Sequence, residues 1–242
     1  PFDDDKEAYF GRIIETIVQT GQSANFIIAI CQVIHALSID QLHILGDIYD
    51  RGPGAHIIMD YLLERQNFDV QWGNHDCLWM GAAAGSPACV ATVLNSALQY
   101  NTLSIVENTY GISPRDLIGF AQEPYRDSTW FMPRNPDDAY YVKSSMDNLA
   151  KAHKAIAIIL FKLEGQLIRR HPEFGMEDRL VLDRIDYENN TVTLNGETYP
   201  LNDGHFPTID PADPYALTDA EQSLIDSLTH AFRHSKALRK HI

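Results

Sequence analysis

The chain has 242 residues, 45% hydrophobic and 21% charged, the balance of an ordinary folded protein and not of a disordered one. Its formal net charge of −14 and pI near 5.0 exclude the basic footprint that non-specific nucleic-acid binding requires, and argue against an anionic membrane surface as partner. Three cysteines, Cys31, Cys77 and Cys89, provide neither a disulfide framework nor a spaced zinc signature.

No amino-terminal signal peptide is visible, and the longest apolar runs, such as Ala155 to Leu163, are too short to span a bilayer. A cytoplasmic location without a membrane partner is therefore expected. The opening Asp3-Asp4-Asp5 reads as an acidic lead-in to a helix, favoured by the helix dipole. From Glu7 to about Gln19, Tyr9, Phe10, Ile13, Ile14, Ile17 and Val18 follow helical spacing, and Gly21 marks the stop. Asn25 to about Leu37 predicts a second helix. An apolar strand from Leu42 to Leu45 follows, then a helix from Ala55 to Arg65 with Ile57, Ile58, Tyr61 and Leu62 on one face, then a strand ending at Val70 to Trp72. Strand, helix and strand over so short a distance imply a parallel, right-handed βαβ unit.

Further on, Cys77 to Ala84 and Pro87 to Tyr100 predict helices separated by Gly85-Ser86-Pro87, and Asn101 to Tyr110 a connection. Cys77 is expected to be a small buried thiol. Ser113 is placed as N-cap and Pro114 as first residue of the next helix, and residues 122 to 138 as an ordered loop. The longest helical pattern runs from Asp147 to Arg170, with Leu149, Ala152, Ile156, Ile159 and Leu163 as its core stripe; His153, Lys154 and Lys162 on it are weighed as contacts for a second phosphate. Arg179 to Tyr187, Thr191 to Leu194 and Glu197 to Leu201 predict a three-stranded meander. Thr218 and Glu221 form a capping box opening a last helix that runs toward Arg239.

Two stretches carry the chemistry. Leu42-His43-Ile44-Leu45-Gly46-Asp47-Ile48-Tyr49-Asp50-Arg51-Gly52-Pro53 and Val70-Gln71-Trp72-Gly73-Asn74-His75-Asp76 each read as a strand that stops at a glycine and then presents metal- or phosphate-handling side chains. At the carboxyl ends of neighbouring parallel strands they share one crevice. Asp47 is a hard oxygen donor able to bridge two metals, and Asn74 offers a neutral amide oxygen to one of them. His75 suits a general acid, Asp50 can hold its other ring nitrogen, and Arg51 presents a planar fork to phosphate oxygens. Two divalent cations about 3.5–4 Å apart would clamp a phosphoryl group and activate water.

Gly46-Asp47-Ile48-Tyr49-Asp50-Arg51-Gly52 followed by Gly73-Asn74-His75-Asp76 resembles the calcineurin-like metallophosphoesterases. The segments from Gly46 to Leu62, from Trp72 to Leu94 and from His153 to Phe174 resemble more narrowly the class III, Firmicutes-type fructose-1,6-bisphosphatases. The resemblance implies an α/β fold: a partial metallophosphoesterase core with its βαβ unit over residues 1–100, and a mostly helical, cap-like insertion with a small meander over residues 101–242. It implies hydrolysis of the 1-phosphate of fructose 1,6-bisphosphate in gluconeogenesis, with Mn2+ as cofactor. Asp47 and Asn74 would be metal ligands, His75 and Asp50 the catalytic pair, and Arg51 the phosphate contact.

The superfamily pattern also includes an earlier strand ending in Asp-x-His and later histidines on further strands. Nothing before Asp47 matches the first, and Asp203-Gly204-His205 reads as a turn. The expectation is a piece of a longer enzyme whose active site is only partly present here, and inactive in isolation. A phosphoprotein or dinucleotide phosphatase, and a non-catalytic binding or assembly module, stand beside the sugar phosphatase.

Overall fold

The computed structural model describes residues 4–38, 40–65, 67–126, 128–134 and 146–242. The fold is mixed α/β and falls into two compact units, one made of residues 1–44 and 65–71, the other of residues 45–64 and 72–242.

In the first unit, α1 (Asp4–Gln19) and α2 (Ser23–Ser38) are joined at Gly21, whose φ of 69° lets the Gly21 and Gln22 amides bond back to the carbonyls of Val18 and Ile17. β1 (Leu42–Ile44) and β2 (Phe68–Val70) pair in parallel, Leu42 opposite Phe68 and Ile44 opposite Val70, as the strand–helix–strand order requires. Their outer face is polar: the Asp69 carboxylate meets His43 Nδ1 at 2.5 Å and Gln41 Nε2 at 3.4 Å. The apolar residues of α1 and α2 are not buried. Ile14, Val18, Ile27, Ile28, Val33 and Ile34 are each more than half exposed.

The second unit holds the core. α3 (Ala55–Leu63) buries Ala55, Met59 and Leu62. The expected face was wrong in part, because Ile57, Ile58 and Tyr61 point outward. α4 (Asn74–Ala84) and α5 (Pro87–Gln99) are separated by Gly85 at φ 93°, with Ser86 Oγ accepting from the Cys89 amide at 3.4 Å. The connection after α5 contains a π-helical turn, Ile105–Thr109, that the sequence did not reveal. α6 (Arg115–Gln122) starts one residue late: Pro114 is the cap, and Ser113 Oγ accepts only from the Arg115 amide. Of the expected loop, Thr129–Phe131 is a 3-10 turn, while residues 127 and 135–138 lie outside the described residues.

The long helix α7 (Met146–Arg170) packs on α5 and α6 through a stripe that includes the wholly buried Ala152, Ile156 and Ile159. Lys162 of this helix is also wholly buried. It meets Glu221 at 2.6 Å and donates to the Thr208 carbonyl at 2.6 Å. Gly165 is equally committed, since any side chain there would enter the Tyr215 ring.

The expected strand from Arg179 to Tyr187 is broken by two 3-10 turns, Glu177–Arg179 and Leu182–Arg184. Leu182 is buried there, and its amide donates to the Tyr215 hydroxyl at 3.0 Å, which takes the segment out of a strand ladder. Only β3 (Ile185–Asp186) remains, antiparallel to β4 (Thr191–Leu194), which pairs with β5 (Glu197–Pro200) across the Asn195-Gly196 turn. α8 (Asp219–His234) opens with the Thr218–Glu221 capping box, the Thr218 amide donating to Glu221 Oε2 at 2.8 Å. It stops earlier than expected because Ser235 caps a separate helix, α9 (Lys236–His241). No described helix is long and apolar enough to cross a membrane.

Candidate active site

The chain leaves β1 through two left-handed residues, Gly46 at φ 90° and Asp47 at φ 52°. Aspartate is among the few side chains that tolerate this region. The Asp50 amide bonds to the Asp47 carbonyl at 3.3 Å, closing the turn. Its direction places Asp47 outward, Tyr49 inward and Asp50 and Arg51 outward again.

The second stretch ends at Gly73 and starts α4 at Asn74, so Asn74, His75 and Asp76 form that helix's first turn. Helix N-termini present unpaired amides and a positive dipole end, and both attract carboxylates. Asp47 Oδ1 accepts from the His75 amide at 3.2 Å. A side chain at Gly73 would collide with the Asp47 carboxylate, so glycine there is what admits it. Asp76, only 1% exposed, joins the two stretches: Oδ2 accepts from the Gly73 amide and Oδ1 from the Tyr49 amide, each at 2.9 Å.

Those bonds align the polar tips. His75 Nε2 lies 3.0 Å from Asp50 Oδ1, and Arg51 Nε lies 3.3 Å from the same oxygen. Arg51 is exposed and stacks on the Tyr100 ring, 5.2 Å from its centroid. Behind the site Tyr49, Trp79 and Tyr110 pack as an aromatic wall, with Tyr110 Oη donating to Tyr49 Oη at 3.2 Å. Burial raises the pKa of both phenols, that of Tyr49 far beyond the ordinary tyrosine range, so the wall stays uncharged.

The expected residues Asp47, Asp50, Arg51 and His75 thus stand in direct contact, and Asn74 is exposed beside them on the same helical turn. Asp47 and Asn74 are oxygen donors of the kind Mn2+ accepts. Among the described residues, however, no three His, Cys, Asp or Glu side chains gather to hold a metal ion. The two donors fit the chemistry of that ion.

The other candidates are committed elsewhere. Lys154 pairs with Asp203 at 2.7 Å, Lys162 is buried on Glu221, and His153 Nδ1 contacts the Phe131 carbonyl at 2.9 Å. Asp203-Gly204-His205 is a turn, the His205 amide donating to Asp203 Oδ1 at 3.1 Å. Cys77 is exposed and not buried as expected, because it sits on the outer side of the first turn of α4, opposite Asp76. The sequence places Asp76 in the second stretch without a role, although an acidic residue three after Gly73 is where a capping box puts one; Tyr100 carries no local signal.

The sequence profile described as Firmicute fructose-1,6-bisphosphatase matches residues 2–242. The chain belongs to that family. It is 50% identical over 240 residues to the "Fructose-1,6-bisphosphatase class 3" of Bacteroides fragilis, 51% identical to that of Clostridium botulinum and 48% identical to that of Alkaliphilus metalliredigens, in each case over 98% of this chain. The chain spans 36% of the length of these relatives. No solved structure matches it. Both stretches that build the site lie inside the region matched to the Firmicute fructose-1,6-bisphosphatase family.

Proposed function

We propose that the whole protein to which this chain belongs is a metal-dependent phosphatase that removes the 1-phosphate of fructose 1,6-bisphosphate. The observation that carries this is the contact of His75 with Asp50 beside Asp47 and Arg51, in a chain of the Firmicute fructose-1,6-bisphosphatase family. In this reading the chain carries part of a metallophosphoesterase core over residues 1–100 and a cap-like insertion over residues 101–242, and works in the cytoplasm.

Manganese, held in part by Asp47 and Asn74, would supply charge neutralisation and activation of water. The chain's own side chains do the rest. Arg51, permanently charged, draws the phosphoryl oxygens. Asp50 stands against His75 Nε2 as its ion-pair partner and leaves Nδ1 to give its proton to the departing sugar oxygen. Asp47 also holds the His75 backbone, so metal ligand and proton donor move together.

The test is phosphate release from fructose 1,6-bisphosphate by the whole protein with manganese. His75→Ala should lower kcat about 10²–10⁴-fold, the ordinary contribution of a general acid; unchanged turnover would remove His75 from this role. Because the chain spans 36% of the length of its relatives, a second reading is that the 242-residue chain alone is catalytically silent. Calorimetric titration should find weak manganese binding to it, and tight binding of two ions would contradict that.

A further inference from the structure

Tyr100 follows α5 and carries two guanidinium groups. Arg51 Cζ lies 5.2 Å from the ring centroid and Arg134 Cζ lies 5.1 Å from it, so the two carbons are separated by no more than the sum of those distances, about 10 Å. Arg134 is fixed there twice: its amide donates to the Gln99 carbonyl at 2.9 Å, and its Nη1 donates to the Tyr100 hydroxyl at 3.1 Å. The Arg51 charge is partly answered by Asp50, which His75 shares. Among the described residues no carboxylate pairs with Arg134. Its neighbour His153 is buried against the Phe131 carbonyl and held neutral by that burial and by the Arg134 charge.

Two positive groups within about one Debye length repel each other. A shared neutral ring tolerates both through cation–π attraction but cancels neither. The arrangement is complementary to a ligand with an anion at each end, and its span is one that a six-carbon chain esterified at both ends can bridge. Lys154 and Lys162 of α7 offer no rival, since each is held by a carboxylate.

We propose that Arg134, braced by Tyr100, binds the second phosphate of the sugar bisphosphate while Arg51 binds the one that is cleaved. The proposal rests on the phosphatase reading above. Arg134 makes no bond to the reacting group and sets affinity and the choice of bisphosphate over monophosphate.

The experiment uses the whole protein with manganese and two esters, fructose 1,6-bisphosphate and fructose 1-phosphate. For Arg134→Ala, KM for the bisphosphate should rise about 10–100-fold with kcat changed less than about threefold, the scale of one lost charge-assisted contact, while kcat/KM for the monophosphate stays put. Arg134→Lys, which keeps the charge and loses the fork, should fall between, as should Tyr100→Phe. Because Arg134 is exposed, thermal unfolding should not move. An unchanged KM for the bisphosphate, or an equal proportional loss on both esters, overturns the proposal. Wild-type protein that releases no phosphate from the bisphosphate would instead bring down the phosphatase reading itself.

Discussion

Asp76 touches none of the reacting groups, yet the site depends on it. Its two oxygens hold the Tyr49 and Gly73 amides, one from each stretch. Asp76→Asn would turn an amide N–H toward one of those donors. A loss of about 1–3 kcal/mol is expected, the penalty of a buried polar group left unpaired, measured by denaturant unfolding, with a fall in kcat of the whole enzyme as His75 loses register with Asp50. Ala at Gly73 should lower activity by another route, by displacing the Asp47 carboxylate. His153 sets a pH dependence. Burial lowers its folded pKa below the ordinary histidine value, so the unfolded chain takes up the proton first. Stability should be full above about pH 6.5 and decline as pH falls from there through the lowered folded value. Thermal melts of wild type and His153→Gln across that window should converge at low pH relative to neutral pH.

At the scale of elements, α7 is positioned by two close fits. Gly165 lets the Tyr215 ring lie against the helix, where Arg169 covers the ring at 4.2 Å. Gly165→Ala should cost about 1–3 kcal/mol by overpacking, more than the gain in helix propensity returns. The Lys162–Glu221 pair ties α7 to the first turn of α8. Lys162→Met alone should destabilise by about 3–5 kcal/mol, because Glu221 is left charged in the core, whereas Lys162→Met with Glu221→Gln, which removes the charge and keeps an acceptor for the Thr218 amide, should recover part of that loss; a double-mutant cycle in urea measures both. Elements with strong period or punctuation, such as α7, the Thr218 cap and the Asn195-Gly196 turn, were readable in advance because their signals are local. The segment from Arg179 to Tyr187 was not, since a bond from the Leu182 amide to the distant Tyr215 hydroxyl overrides its strand-like alternation.

At the scale of the molecule, the apolar stripes of α1 and α2 are exposed over Ile14, Ile27, Ile28 and Ile34, an unusual outlay for a folded surface. The 242-residue chain should therefore bind a hydrophobic dye, and Ile28→Glu with Ile34→Glu should reduce the fluorescence without altering the unfolding of the second unit; equal dye binding by the variant would locate the exposed surface elsewhere.

The sequence by itself determined the chemistry of the two strand-end stretches. Asp47, Asp50, Arg51, Asn74 and His75 lie within a few bonds of a strand end or a helix start, where backbone geometry alone aims them. Tertiary structure decided which groups became partners. Asp76 reaches Tyr49, Lys162 reaches Glu221, and Arg51 and Arg134 meet over Tyr100, because each pairing depends on how distant segments pack, and spacing along the chain carries no record of that.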